Sequence, residues 1–539
     1  MSFATRIALG IVASALICMA VTMPALADKS SNGAIVTESG PLKGITVGSV
    51  NEYLGIPYAA SPVGARRWQP PQPFGRWHGV FDAAQFGNVC PQFDSLIGRF
   101  VGNEDCLFLN VYTPQPSQLP QRGHHRGLPV MVWIHGGGLT TGTGELYDPT
   151  PMIAQGHVIV VTINYRLGLL GFFAQTALDS ESHPAANYGL MDQQFALKWV
   201  RRNICAFGGD SNRVTIFGES AGGQSVYANL ASPTAHGLFQ RAIAESGAYA
   251  SFTDYQNAII PIAQAEAVGS VFEPSGEAFA TAVGCSSQTA VCMRAVTPET
   301  LVSAQPFPMY PVIDGVLLTN TLGTSFSTGH FNRVPVISGT NHDEYRLFVA
   351  LDYDYAGHPL TNADYATAVE VLWGPVLGPI VLEVYPLPAS PPTDAASLAL
   401  GASGTDGSFS CPARRADQSL SRYVTTYTYE FNDENAPLEF GLVPASFPLG
   451  AYHSAEVQYL MIFFGVPVPF TTDQQQLSAA MISYWTQFAT SGNPNSADEP
   501  LWAAYNPATD QFQSLVPPTP AAESTFATDH NCTTFWDLL

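Results

Sequence analysis

The chain is short of positive charge: 21 Lys and Arg stand against 43 Asp and Glu in 539 residues, a formal net charge of −22 at pH 7. Such a surface repels polyanions, which argues against nucleic acid as a partner. The twelve histidines include no His-Glu-x-x-His pair, so the helical zinc-site signature is missing and no metal or cofactor is expected. No long internal repeat is present, and beyond the first 27 residues no segment reads as a membrane span. The one long apolar run opens the chain. Met1-Ser2-Phe3-Ala4-Thr5-Arg6 precedes apolar residues 7–23 and then Pro24-Ala25-Leu26-Ala27. A basic start, an apolar core and a small-x-small site predict a removable secretory signal over residues 1–27. Cys18 lies inside it, and Ile17 before it fits a lipoprotein cleavage site poorly. Removal takes Arg6 away and leaves the chain one charge more negative. The expected location is secreted or periplasmic, with no membrane span retained.

What is present points to chemistry. Val214-Thr215-Ile216-Phe217-Gly218-Glu219-Ser220-Ala221-Gly222-Gly223 is an apolar run leading straight into Gly-x-Ser-x-Gly. A serine hydroxyl is a poor nucleophile unless the backbone holds it out within reach of a base. A strand-turn-helix elbow does so by forcing the serine into a strained turn. Glycines flank it because a Cβ there would strike the neighbouring strand and helix. The residue after the serine opens a helix, predicted over residues 221–230, so its free N–H faces the reacting carbonyl. The pattern alone also arises in ordinary loops, and its setting carries the weight. Residues 214–217 read as a buried strand. Upstream, Val130-Met131-Val132-Trp133-Ile134 is a second one, ending in His135-Gly136-Gly137-Gly138. Glycine loops of that type supply oxyanion donors. Ser220 is therefore the candidate acyl-forming nucleophile.

Apolar strands alternating with helical stretches such as residues 190–201 predict an α/β fold, a large and mostly parallel central sheet flanked by helices. Motifs spread from Tyr53 to His453 must meet at one site, which favours a single elaborated domain over residues 28–539. The Pro-rich segments 114–129, 386–391 and 517–520 read as surface loops.

The stretch Phe207-Gly208-Gly209-Asp210-Ser211-Asn212-Arg213-Val214-Thr215-Ile216-Phe217-Gly218-Glu219-Ser220-Ala221-Gly222 resembles the nucleophile signature of the type-B carboxylesterases, the family that includes cholinesterases. Glu104-Asp105-Cys106-Leu107-Phe108-Leu109-Asn110-Val111-Tyr112-Thr113-Pro114 resembles the family's second signature. Tyr53-Leu54-Gly55-Ile56-Pro57-Tyr58-Ala59 and Asn164-Tyr165-Arg166-Leu167-Gly168 are similar to further blocks, in the family's order, from about Gly40 to the C-terminus. The resemblance implies an α/β-hydrolase fold and a serine carboxylesterase that cleaves small-molecule esters through an acyl-enzyme. It implies oxyanion donors at the N–H groups of Gly137, Gly138 and Ala221. The acid should follow the strand-like Val334-Pro335-Val336-Ile337-Ser338-Gly339. The family pattern maps it to Glu344, with Asp343 as the alternative because Tyr345 replaces the usual glycine. The base maps to His453, in Gly450-Ala451-Tyr452-His453-Ser454-Ala455-Glu456. Glu219 and Ser246 map near the site, although a buried polar pair bracing the elbow is the plainer reading. His135 is expected to orient the oxyanion loop, and His124 and His125 to be exposed.

Seven cysteines remain once the leader is gone, an odd number. The resemblance implies three disulfides, Cys90–Cys106, Cys285–Cys292 and, as in cholinesterases, Cys411–Cys532 tying down the C-terminus, which suits an oxidising compartment. Cys205, in apolar surroundings, is expected as a buried thiol. The choline site of cholinesterases uses a tryptophan within the first disulfide loop. Residues 90–106 contain none, and Phe93 and Phe100 offer only weak cation–π contacts. General carboxylester hydrolysis is favoured over choline esters. The same loop is short for the mobile lid of the family's lipases, which leaves action on longer acyl chains as the alternative. Adhesion relatives share the fold without the serine, but here nucleophile, base, acid and oxyanion loop are retained together. Leu139, Phe307, Phe409 and Tyr452 are candidate walls of the substrate pocket.

Overall fold

Uninterrupted apolar runs, rather than alternating ones, mark strands buried on both faces. The computed structural model describes residues 33–539 apart from 96, 116–126, 250, 253–256, 271–273 and 440; the predicted leader with Cys18, and His124 and His125, lie outside the described residues. Among the described residues eleven strands form the central sheet: β1 Ile45–Val47, β2 Val50–Pro57, β3 Phe108–Pro114, β4 Leu128–Ile134, β5 Ile159–Ile163, β6 Gly209–Glu219, β7 Arg241–Glu245, β8 Val336–Asn341, β9 Thr426–Phe431, β10 Phe512–Leu515 and β11 Ala521–Glu523. Side by side they run β1-β2-β3-β5-β4-β6-β7-β8-β9-β10-β11. From β5 to β10 every neighbouring pair is parallel. Both flanks are antiparallel.

The sheet divides the apolar core in two. Val130, Val132 and Ile134 of β4 and Val214 and Ile216 of β6 point into one cluster. Met131, Trp133 and Phe217 point into the other, as the two-residue period of a strand requires. The principal helices are α1 Tyr188–Asn203, α2 Ala221–Ala231, α3 Glu344–Val349, α4 Tyr365–Val384, α5 Ala395–Thr405, α6 Cys411–Leu420 and α7 Thr472–Ser491. Residues of α1, α2 and α6 pack into the first cluster and residues of α7 into the second. Helix α7 starts on a capping box between Thr471 and Gln474 and stops at Gly492 (φ 81°), which satisfies backbone groups at both ends.

Three details depart from the sequence reading. Strand β6 begins at Gly209, five residues earlier than predicted, and its register with β4 shifts between Gly209 and Val214. There Arg213 pairs with Asp210 at 3.0 Å, and this polar bulge hid the strand from an apolar pattern. Cys205 is exposed, not buried; Ile204 and Phe207 turn inward while its thiol stands 3.9 Å from Ser211 Oγ. Finally, α4 is long and apolar enough to cross a bilayer, with mean hydropathy 1.5, where the sequence reading allowed no such segment. Gly374 (φ 75°, ψ 171°), Pro375 and Pro379 interrupt the run and concealed it. Tyr365, Ala368, Val369, Trp373 and Val381 anchor α4 to the protein, so it is a kinked helix packed along one side.

Candidate active site

Parallel strands in register bring their carboxyl ends to one edge, where crossover loops leave room for a ligand. Gly218 pairs with Ile134 and with Ala244, and Glu245 pairs with Gly339. The loops after β4, β6, β7 and β8 therefore open side by side. Ser220 occupies the turn between β6 and α2 with φ 57° and ψ −123°, a conformation costly for a side chain bearing Cβ. Its N–H donates to the Glu245 carbonyl (2.9 Å) and its carbonyl accepts from Gln224 N (2.8 Å), so the strain is held from both sides. A Cβ on Gly218 would lie 2.4 Å from the Ile134 carbonyl oxygen, and one on Gly222 only 1.9 Å from it. This contact is why the elbow needs glycine.

Gly137 and Gly138, the expected oxyanion donors, both have positive φ, 99° and 61°. The Gly137 carbonyl turns inward to accept from the amides and hydroxyls of Thr140 and Thr141. Among the described residues, no protein acceptor takes the N–H of Gly137, Gly138 or Ala221. His135 is fully buried and pushed down to about 4 by burial, so it is neutral and structural. Its ring stacks on Tyr165 (4.4 Å) and its carbonyl accepts from the Tyr165 hydroxyl (2.7 Å). The neighbouring Arg166 makes a two-armed bond to buried Asp192, 2.7 Å on each arm. Asn164 accepts from Thr143 and Gly144. The Asn164–Gly168 block is thus the stem on which the glycine loop stands.

Glu344 and His453 come from residues 109 positions apart and meet. His453 Nδ1 lies 2.5 Å from Glu344 Oε2, while Glu344 Oε1 accepts from the Thr340 hydroxyl (2.7 Å) and the Asn341 amide (2.8 Å). Asp343 is engaged elsewhere, with Arg346 at 2.8 Å and the Ala451 amide at 2.9 Å. Phe348 and Phe409 pack on the His453 ring with centroids 5.0 and 5.1 Å away. Among the described residues the imidazole Nε2 has no hydrogen-bond partner; it stands 3.1 Å from Glu219 Oε1 without hydrogen-bond alignment. His453 Nε2 therefore makes no hydrogen bond to Ser220 in this structure; hydrogen bonds of this kind often tighten only when substrate binds.

Sequence reasoning missed several neighbours. Tyr249 sets its phenol against Ser220, and burial pushes that phenol's pKa up. Beneath the site lies a group of buried carboxyls. Burial, with Glu456 and Glu344 close by, pushes Glu219 well above the usual range. Burial likewise raises Glu456 strongly, Glu245 to about 7 despite the bond from Trp485, and Glu439 to about 8 despite that from Ser454. Glu219 and Ser246 were expected near the elbow, but no local pattern marks Glu245, Glu439 or Glu456, because only the folded sheet removes them from water. Ser246 is buried beside the elbow with φ 49°.

A cavity of about 640 Å³ opens onto Ser220 and Gly138. Its walls are mostly apolar and aromatic, including Phe307, Tyr345, Phe348, Trp373 and Phe409. Of the four expected wall residues, Phe307 and Phe409 line it, whereas Leu139 and Tyr452 are packed in the core. The excursion 342–425 between β8 and β9 supplies most of the lining. The half-cystines stand at bonding distance in the pairs Cys90–Cys106, Cys285–Cys292 and Cys411–Cys532.

A strained serine between strand and helix at the carboxyl edge of a largely parallel sheet, with later loops delivering carboxylate and imidazole, defines an α/β hydrolase. Comparison with known proteins narrows this. The model of the carboxylesterase family matches residues 31–533, and the chain belongs to that family. It is 34% identical to the para-nitrobenzyl esterase of Bacillus subtilis (strain 168) over 88% of this chain and 93% of that protein. It is 33% identical to the cocaine esterase of Oryctolagus cuniculus over 87% of this chain and 90% of that one. To the acylcarnitine hydrolase of Mus musculus it is 34% identical over 85% and 82% of the two chains. Among solved structures, a thermophilic PNB esterase superposes with a TM-score of 0.73 at 33% identity, covering 91% of this chain and 97% of the other. The protein is a carboxylic ester hydrolase.

Proposed function

We propose that hydrolysis proceeds by two acyl transfers at Ser220. The Ser220 oxygen attacks the ester carbonyl carbon as His453 Nε2 takes the hydroxyl proton, giving a tetrahedral oxyanion. The amides of Gly137, Gly138 and Ala221 hold that oxygen. Collapse breaks the bond to the alkoxy oxygen, which leaves as alcohol with the proton from His453. Water then attacks the acyl-serine with the same help, and the acid leaves. Glu344 keeps the Nδ1 proton in place and stabilises the imidazolium. The observation that carries this reading is the 2.5 Å contact between buried Glu344 and His453, at the same sheet edge as a serine held at φ 57°. Each oxyanion donor is worth about 3–4 kcal/mol of transition-state stabilisation.

The relatives named for para-nitrobenzyl esters, cocaine and acylcarnitines differ widely in what they act on, which supports a general carboxylesterase. Three disulfides suit an oxidising compartment, in line with secretion or a periplasmic location. The test is Ser220→Ala. It should fold as the wild type does, lose turnover by on the order of a million-fold, and resist labelling by a fluorophosphonate. Near wild-type turnover in that variant would end the assignment.

A further inference from the structure

The rim of the active-site cavity is apolar and open to solvent. The kink at Gly374 divides α4. Its first half buries Tyr365, Ala368, Val369 and Trp373, whereas in its second half only Gly378 and Val381 are buried. Val371 is 79% exposed and Val376 84%, and Ile380, Leu351 and Phe307 are also exposed. Val371 and Phe307 line the cavity, while Leu351, Val376 and Ile380 lie outside its lining but close in the chain to residues that form it. Gly374 and Leu377 of α4 line it as well, on either side of Val376 in the chain, as do Val349 and Asp352, on either side of Leu351. Val376 and Ile380 are one turn apart and so share a face. Bulky aliphatic side chains at such exposure favour whatever removes them from water.

Charge and position identify the occupant. Helix α4 carries no Lys or Arg, only Glu370 and Glu383, in a chain of net charge −22. Asp352 stands at the cavity wall. An anionic surface is repelled by this face and a neutral one is not. A protein seated here, a second copy included, would cover the opening that leads to Ser220. A lipid phase covering the same rim would instead deliver esters into it. We infer that the second half of α4, with Leu351 and Phe307, docks the enzyme on an electrically neutral lipid–water surface, from which Ser220 takes lipophilic esters. The second clause rests on the esterase reading; the docking does not. The helix lies along the surface, as interfacial helices do, and does not span.

The experiment is co-flotation of the purified protein with phosphatidylcholine vesicles, and with vesicles containing phosphatidylserine. The variant is Leu351→Gln/Val376→Gln/Ile380→Gln, three exposed positions outside the cavity lining. Wild type should float with phosphatidylcholine and less well with the anionic vesicles at low salt. The variant should float at least tenfold less, keep its turnover of a soluble short-chain acetate ester, and lose activity on an emulsified long-chain ester. Ser220→Ala should float as wild type. Failure of wild type to float, equal flotation of the variant, or a wild-type dimer that the variant dissolves without any flotation would each overturn the inference. Flotation without hydrolysis of any ester would leave docking standing and remove the esterase mechanism; hydrolysis without flotation would do the reverse.

Discussion

Replacing Gly222 by alanine tests the elbow more sharply than removing the nucleophile. The added Cβ would sit 1.9 Å from the Ile134 carbonyl oxygen, 2.9 Å from its carbon and 3.0 Å from the His135 carbonyl carbon. A carbon and a carbonyl oxygen rest no closer than about 3.3 Å, so roughly 1.4 Å of space must be found. Ile134 is fixed in the sheet by Gly218 and Ile163. The first turn of α2 is tied through Ser220 to Glu245 and Gln224. What yields is the start of the glycine loop or the helix terminus, and each carries proposed oxyanion donors. Overpacking of this kind costs about 1–3 kcal/mol of stability. Misplacing a reacting group by about 1 Å costs about a hundred-fold in rate, and losing one donor outright about 10²–10³. The expected result is a fall in kcat of about 10²–10³ with KM changed by no more than a few-fold, because the cavity walls do not touch Gly222. Steady-state turnover of a soluble ester, normalised by fluorophosphonate titration, measures the first. Urea unfolding measures the stability loss. Gly208→Ala is the control: its φ is 88° but nothing lies within 4 Å of the new Cβ, so it should lose about 1–2 kcal/mol from backbone strain and keep kcat. A Gly222→Ala enzyme within threefold of wild-type kcat would show that the loop and helix are not so coupled.

Glu344→Gln removes the carboxylate charge facing His453 Nδ1 while keeping the shape; kcat should fall by about 10⁴, and a loss below tenfold on a soluble ester would point to another acid. Replacing both Cys411 and Cys532 by serine opens a closure spanning 121 residues, worth about 5 kcal/mol on the chain-entropy account; denaturant titration should register that loss, and unchanged stability would contradict it. Glu439, raised to about 8 by burial, holds a proton in the folded state that the unfolded chain releases between the ordinary carboxyl range and pH 8. Stability should therefore fall as pH rises through that window and level off above it. In Glu439→Gln the slope of Tm against pH across the window should be shallower, and an identical slope would remove Glu439 as its source.

The chemistry that local geometry demands was readable along the chain. An apolar strand running into Gly218-Glu219-Ser220-Ala221-Gly222, and another running into His135-Gly136-Gly137-Gly138, carry their own structural instruction, since a tight turn beside a strand constrains residues next to one another. The alternation of strand and helix likewise announced a mostly parallel sheet. Glu344 and His453 were placed by family pattern, not by anything local, because their partnership spans 109 positions. What no stretch of sequence contained was decided by packing. The buried state of Glu245, Glu439 and Glu456 depends on the sheet excluding water from all of them at once. The exposure of Cys205 depends on which way one turn faces. The length of α4 escaped the sequence reading because Gly374, Pro375 and Pro379 punctuate it, and only its seat beside the cavity shows which of its side chains meet solvent. Sequence sets the local conformations; burial and exposure belong to the whole fold, because each is a property of neighbours that the chain brings from far away.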